Sequence, residues 1–121
     1  MSQARKNAYR KGLCAETLAS MYFAAKGYKI IERRYKTRYG EIDILVRKGN
    51  MLVAVEVKSR QSIEDALYAL KPKARERIQN SLLHFIAENP SYNDFDLRFD
   101  LFAHVKGFSF QHLDNAWMAE C

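Results

Sequence analysis

The sequence predicts a single α/β domain over residues 1–121, a mixed β-sheet flanked by helices in the order α-β-β-β-α-β-β. Three observations predict it. Two long segments repeat apolar residues at helical spacing, five short runs are rich in β-branched and aromatic residues, and a Lys-Gly-Asn turn joins two of those runs head to tail. With 48% hydrophobic residues in 121, the chain has enough apolar surface to bury a core and is not expected to be disordered.

The first helix is expected over residues 5–26, where Cys14, Leu18, Met21, Tyr22 and Ala25 form one apolar stripe and Gly27 supplies a stop. Tyr28 to Tyr35 reads as the first strand, and residues 41–48 and 51–58 read as the second and third. Residues 62–70 read as a helical turn or short helix, interrupted at Pro72. The second long helix follows over 73–88 with the stripe Ala74, Ile78, Leu82, Phe85 and Ile86, ended by Asn89-Pro90. FDLRFDLFAHV (residues 95–105) alternates as a strand, Gly107 turns the chain, and FSFQHL (108–113) is the last strand. Trp117 in the tail is expected to pack as a closing anchor.

Charge is unevenly spread. Residues 1–40 hold ten Lys or Arg against two Glu, while the remainder holds ten against twelve acids, for a net +6. A basic segment beside an acid-bearing sheet suits a polyanion. No apolar stretch reaches the roughly 20 residues that span a bilayer. The amino-terminal MSQARKNAYRKG has charges without an apolar core behind them, so no signal peptide or membrane association is expected. The two cysteines, Cys14 and Cys121, fit neither a zinc spacing nor a disulfide framework, and a reducing cytoplasmic setting is expected.

The turn fixes a register. If Gly49-Asn50 is a two-residue type II′ loop, Lys48 pairs with Met51, Asp43 lies opposite Glu56, and Glu41 lies opposite Lys58. All four charges then share one sheet face, with Ile42, Ile44, Val46, Val53, Val55 and Val57 on the other. Opposed carboxylates repel, and a divalent cation with a taste for hard oxygen ligands, magnesium or manganese, would resolve the conflict. The alternative is an ordinary network, in which Glu41–Lys58 is a salt bridge and Asp43 caps a backbone group.

GEID (Gly40–Asp43) followed by VEVK (Val55–Lys58) resembles the YraN-like family of small bacterial proteins, itself similar to archaeal Holliday junction resolvases and the restriction-endonuclease-like, PD-(D/E)xK superfamily. The resemblance extends to Gly12, Ala15-Glu16, Gly27-Tyr28, Lys73, Arg98-Phe99-Asp100 and Asn115-Ala116-Trp117. It implies a restriction-endonuclease-like fold and a metal-dependent nuclease core. Asp43, Glu56 and the Val57 carbonyl would ligate magnesium or manganese, with Glu16 as a further metal ligand. Lys58 would position or activate the attacking water, and Glu41 would hold Lys58. Two departures stand out. Ile42 occupies the place of the superfamily's proline, and Arg34 stands where the family pattern leads one to expect asparagine.

On its own geometry Glu16 lies about 160° from Leu18 around the helix, which points it to solvent. Arg33, Arg34, Lys36 and Arg38 lead into the acid-bearing strand with Tyr35 and Tyr39 among them, and are expected to contact phosphates; Lys73 and Arg77, opening the second long helix, join them. His84, His104 and His112 show no ligand spacing. Arg98 and Asp100, two apart on a strand, are expected to form a structural ion pair. The charge and these basic residues suit nucleic acid as partner, and the resemblance implies DNA, branched or single-strand-containing, as the expected substrate. Symmetric paired cuts would require a homodimer. The competing class is a non-catalytic nucleic-acid-binding module.

Overall fold

The computed structural model describes residues 15–106 and 109–118; the first half of the expected opening helix, Cys14, Gly12, Gly107 and Cys121 lie outside them. The described chain begins with α1 (residues 15–25) and continues through β1 (Lys29–Lys36), β2 (Glu41–Lys48), β3 (Met51–Ser59), α2 (Ile63–Ala69), α3 (Pro72–Glu88), a 3₁₀ turn (Pro90–Tyr92), β4 (Asp96–Lys106) and β5 (Ser109–Trp117). This is the expected mixed α/β order, with the 62–70 segment resolved as a separate short helix. Pro72 begins α3 instead of only breaking the chain, because a first-turn position needs no amide donor.

The five strands lie in sequence order, antiparallel at β1–β2, β2–β3 and β4–β5 and parallel at β3–β4. The parallel step requires a crossover, which α2 and α3 provide. Gly49 has φ +58 and Asn50 is not left-handed, as a type II′ turn needs, and Lys48 pairs with Met51 as expected. Gly27 ends α1 at φ +91: its amide bonds to the Ala24 carbonyl and the Tyr28 amide to the Phe23 carbonyl, the Schellman arrangement.

Both faces of the sheet are buried, which corrects the expectation of one apolar face and one charged face. Ile44, Val46, Val53, Val55 and Phe102 pack against Ala19 and Phe23 of α1. Leu45, Leu52, Ala54, Leu101 and Ala103 pack against Ala66 of α2 and Ile78, Leu82 and Phe85 of α3. The stripe of α1 is also rotated from the expected one. Ala15, Ala19 and Phe23 are buried, while Met21 is 66% exposed. Small side chains along the contact line let the helix approach the strands closely, and Phe23, fully buried, gains about 1.5–3 kcal/mol from leaving water.

β5 runs beyond the expected 108–113 and absorbs the tail to Trp117. The extension crosses an irregularity, where β4 pairs Leu101 with Leu113 but Phe99 with Trp117. Asn115 is left-handed there (φ 50), and its amide donates to Asp100 Oδ1 at 3.0 Å. Trp117 is the anchor expected of it, stacked on Phe99 with ring centroids 5.3 Å apart. Among the described residues no helix is long and apolar enough to cross a membrane.

Candidate functional site

The site grows from a place where two strands part. The β2–β3 ladder follows the register set by the turn from Lys48↔Met51 to Ile44↔Val55, where the pairing ends. β2 continues its pairing with β1 to Lys36↔Glu41, and β3 continues with β4 to Ser59↔His104. The sheet therefore divides between β2 and β3, and Glu41, Asp43, Glu56 and Lys58 border the division. The expected direct pairings Asp43–Glu56 and Glu41–Lys58 are corrected accordingly: they are not rungs of the ladder.

The same level of the sheet carries a left-handed residue, Arg34. Its φ is +55, a left-handed conformation that costs a non-glycine residue about 1–2 kcal/mol. Arg33 pairs with Ile44 and Tyr35 with Ile42. Ile44 packs with α1, whereas Ile42 and Tyr35 pack under α3. Both strands thus change face across the step containing Arg34 and Asp43. This explains why Ile42, expected beside Ile44, sits on the other side of the sheet. Asparagine tolerates this conformation better than arginine, which gives a physical reason for the asparagine expected here.

Asp43 reaches across the division. Its Oδ2 accepts the Val57 amide at 2.8 Å, replacing the backbone partner that the parted strand no longer supplies. Its carboxyl also lies beside that of Glu56. Burial, first, and then the neighbouring Asp43 carboxyl hold the Glu56 carboxyl well above its ordinary range, with Lys58 pulling weakly the other way. Lys58 Nζ stands 3.9 Å from Glu56 Oε1. Glu41, expected to hold Lys58, makes its ion contact with Arg34 Nε at 3.7 Å instead.

Glu16 joins from α1. The 9% exposure of this residue corrects its placement in solvent: it lies about 60° from Ala19, at the margin of the rotated stripe. Arg34 Nε is 3.5 Å from Glu16 Oε2, an oxygen that is buried and accepts no hydrogen bond. Burial and the nearby Asp43 push the Glu16 carboxyl up, and Arg34 offsets part of this. Arg34 is thus placed between two acids, where it acts as an internal counter-ion.

Gly40 is set by packing. A Cβ there would stand 3.1 Å from Arg77 Cβ on α3. The preceding turn is tied by Thr37, whose Oγ1 accepts the Tyr39 amide (3.0 Å) and the Gly40 amide (3.2 Å) and meets the buried Ser81 Oγ at 2.9 Å. Lys36 and Arg38 at this turn and Arg77 against it are exposed, as is Lys73, four residues before Arg77 on α3. Arg38 donates to the Tyr39 hydroxyl (2.8 Å), and Arg33 to Thr17 of α1 (3.3 Å).

Among the described residues no three His, Cys, Asp or Glu side chains are arranged to hold a metal ion. The donors that do converge, the carboxyls of Asp43 and Glu56 with Glu16 nearby, are hard oxygens of the kind magnesium and manganese take. Two carboxyls side by side repel when both are ionised, and a divalent cation between them would remove that repulsion. The residues therefore fit such an ion as an incomplete ligand set that carbonyl, water or phosphate oxygens would complete.

A separate buried network lies on the α1 face. Arg98 grips Asp100 through two bonds of 2.8 Å and donates a third to Tyr28. His112 bridges Asp100 (2.7 Å) and the Tyr22 hydroxyl (2.8 Å). Asp100 is fully buried; burial raises its carboxyl, but the bonds from His112, Arg98 and the Asn115 amide outweigh that and hold it below its ordinary range. The expected ion pair is present, and it ties α1 to β4 and β5. His112 and Tyr22 as its partners were not foreseen, because no local spacing links residues 90 apart.

The profile of the Uncharacterised protein family UPF0102 matches residues 15–103. A UPF0102 protein of Caulobacter vibrioides is 44% identical over 116 residues, covering 95% of this chain and 93% of its own. Similar proteins occur in Bradyrhizobium diazoefficiens, 44% identical over 82% of this chain and 74% of its own, and in Parvibaculum lavamentivorans, 44% over 91% and 83%.

Proposed function

Starting from the fact that the chain belongs to the uncharacterised protein family UPF0102, the YraN-like family that its GEID and VEVK segments resemble, we propose that it is a metal-dependent endonuclease-like protein acting on structured DNA. The substrate would be branched or single-strand-containing. The observation that carries this reading is the Asp43–Glu56 carboxyl pair, partly buried at the parting of β2 and β3 with Lys58 beside it.

Asp43 and Glu56 would hold magnesium or manganese with the Val57 carbonyl, and Glu16 would approach it from α1. Such an ion, when bound, polarises a phosphodiester and lowers the pKa of an attacking water. Lys58 lies beside the acids, where an ammonium can orient that water and a phosphate oxygen. The Val57 amide fixes one Asp43 oxygen and leaves the other for a ligand. Arg34 balances Glu16 and Glu41. Lys36, Arg38, Lys73 and Arg77, with Arg33, would take flanking phosphates.

A non-catalytic binding module is the second reading. It is favoured by one observation, that no three acid or imidazole side chains among the described residues already form a metal cage. Calorimetric titration of magnesium and manganese into the wild type and Glu56→Gln, with a four-way DNA junction present, separates the two. Binding lost in the variant, with cleavage of the junction by the wild type, supports the nuclease. DNA binding with no metal uptake supports the module.

A further inference from the structure

We propose that Tyr39 is a stacking platform for an unpaired nucleobase, so that the substrate must present single-stranded nucleotides beside the phosphate it offers to the acids. The inference rests on the nucleic-acid reading above and narrows its substrate class. Tyr39 is 37% exposed although it sits in a tightly bonded turn. Its amide is held by Thr37, Thr37 meets the buried Ser81 of α3, and the next residue, Gly40, is pressed against Arg77. An exposed aromatic usually trades its face for mobility; this one is fixed in place, and a preorganised ring loses little entropy when a flat ligand covers it.

The surroundings favour a base. Arg38 donates to the Tyr39 hydroxyl at 2.8 Å and its guanidinium lies 4.9 Å from the ring centroid, so the polar end of the ring is already satisfied. The Arg38 guanidinium covers one face and the His84 ring of α3 leans on the side chain, centroids 6.0 Å apart at 59°. What the ring still offers is its remaining exposed surface, flanked by cations, the combination of aromatic and basic groups that holds single strands through stacking and phosphate contact. Asp43 is four residues further on, within about 14 Å even if the chain were fully extended. A base inside a duplex keeps both faces on its neighbours and has none to give. An unpaired nucleotide can lie on Tyr39 while its phosphate is offered to the acids that border the division between β2 and β3.

The test uses the full chain with three DNA probes in calcium buffer: a 12-nucleotide strand carrying 2-aminopurine, the same strand with abasic sites in place of its bases, and the blunt duplex. Tyr39→Leu is expected to weaken the base-bearing strand about tenfold or more, in line with a lost base–aromatic stack, and to leave the abasic strand and the duplex unchanged. Tyr39→Phe should retain wild-type affinity, and 2-aminopurine fluorescence should be quenched by the wild type and Tyr39→Phe only. Unchanged affinity of Tyr39→Leu for the base-bearing strand overturns the platform while leaving DNA binding intact, as does an equal loss on the abasic strand. Failure of the wild type to bind any of these DNAs or a four-way junction overturns the proposed function itself.

Discussion

The Asp43 carboxylate takes the Val57 amide at 2.8 Å, so that a side chain closes the first rung beyond the point where the β2 and β3 backbones part. The same carboxylate is then pressed on Glu56. One residue satisfies the backbone and creates the electrostatic conflict, and the stability of the protein carries the mark of both.

Glu56 sets a pH dependence whose sign can be worked out. Its carboxyl is raised in the folded state, mainly by burial, so the native protein holds a proton that the unfolded chain releases near 4.5. That contribution is fully present below the unfolded value and is lost as pH rises through the folded one. Glu16, also raised, acts in the same direction. The wild type is therefore expected to melt lower at pH 8 than at pH 5, and Glu56→Gln to flatten that slope and raise the melting temperature at pH 8. Parallel slopes for the two proteins in thermal melts would remove Glu56 as the cause.

Arg34 invites a comparison of glycine with alanine. Both Arg34→Gly and Arg34→Ala delete the counter-ion of Glu16 and Glu41, but only glycine is at ease at φ +55. Urea denaturation is expected to find the glycine variant about 1 kcal/mol more stable than the alanine variant, the reverse of the usual order within a strand. Equal stabilities would show that the left-handed turn is not held in solution.

Asp100→Asn strips a buried, doubly bonded partner from Arg98 and weakens the His112 contact. Removing one member of such a pair costs about 3–5 kcal/mol, and chemical denaturation should report a loss of that order. Asp100 is depressed in the folded state, so its stabilisation is present above its unfolded value near 3.8 and is lost as pH falls through the folded one.

Lys36→Glu and Arg38→Glu are expected to weaken DNA binding and lower its salt slope by about one to two each, since each removes an exposed cation and adds an acid. Magnesium affinity should hold. Arg34→Glu differs, because Arg34 stands on the acids themselves, and it should alter metal affinity as well. Titrations at three salt concentrations, with and without DNA, distinguish these cases.

The hairpin was the most legible part of the sequence. A Lys-Gly-Asn turn permits few registers, and the one it predicts runs true to Ile44↔Val55. The helix stop at Gly27 and the Arg98–Asp100 pair were legible for the same reason, since each depends on residues close in sequence. Burial of both sheet faces did leave a signal, the unbroken apolar runs Ile44-Leu45-Val46 and Leu52–Val55, which mark a central strand covered on two sides. The parting of the sheet left none, and neither did the left-handed angle of Arg34 at the same level, a residue whose side chain argues against that angle. Glu16 was misplaced because hydrophobicity ranks Met21 above Ala19, whereas close packing against strands selects the smaller side chain. The acids were identified as a group; their partners exchanged because the ladder that would have paired them stops short.

The point where that ladder ends also orders events in time. A two-residue turn lets the β2–β3 hairpin zip from Gly49-Asn50 outward on the microsecond scale, and it reaches Asp43 and Glu56 last. Repulsion that is felt only after the barrier has been crossed does not slow the climb; it hastens the way back. Relieving it by Glu56→Gln is therefore expected, at pH values where Glu56 is ionised, to slow unfolding and leave refolding unchanged, so the two acids shorten the lifetime of the native state there.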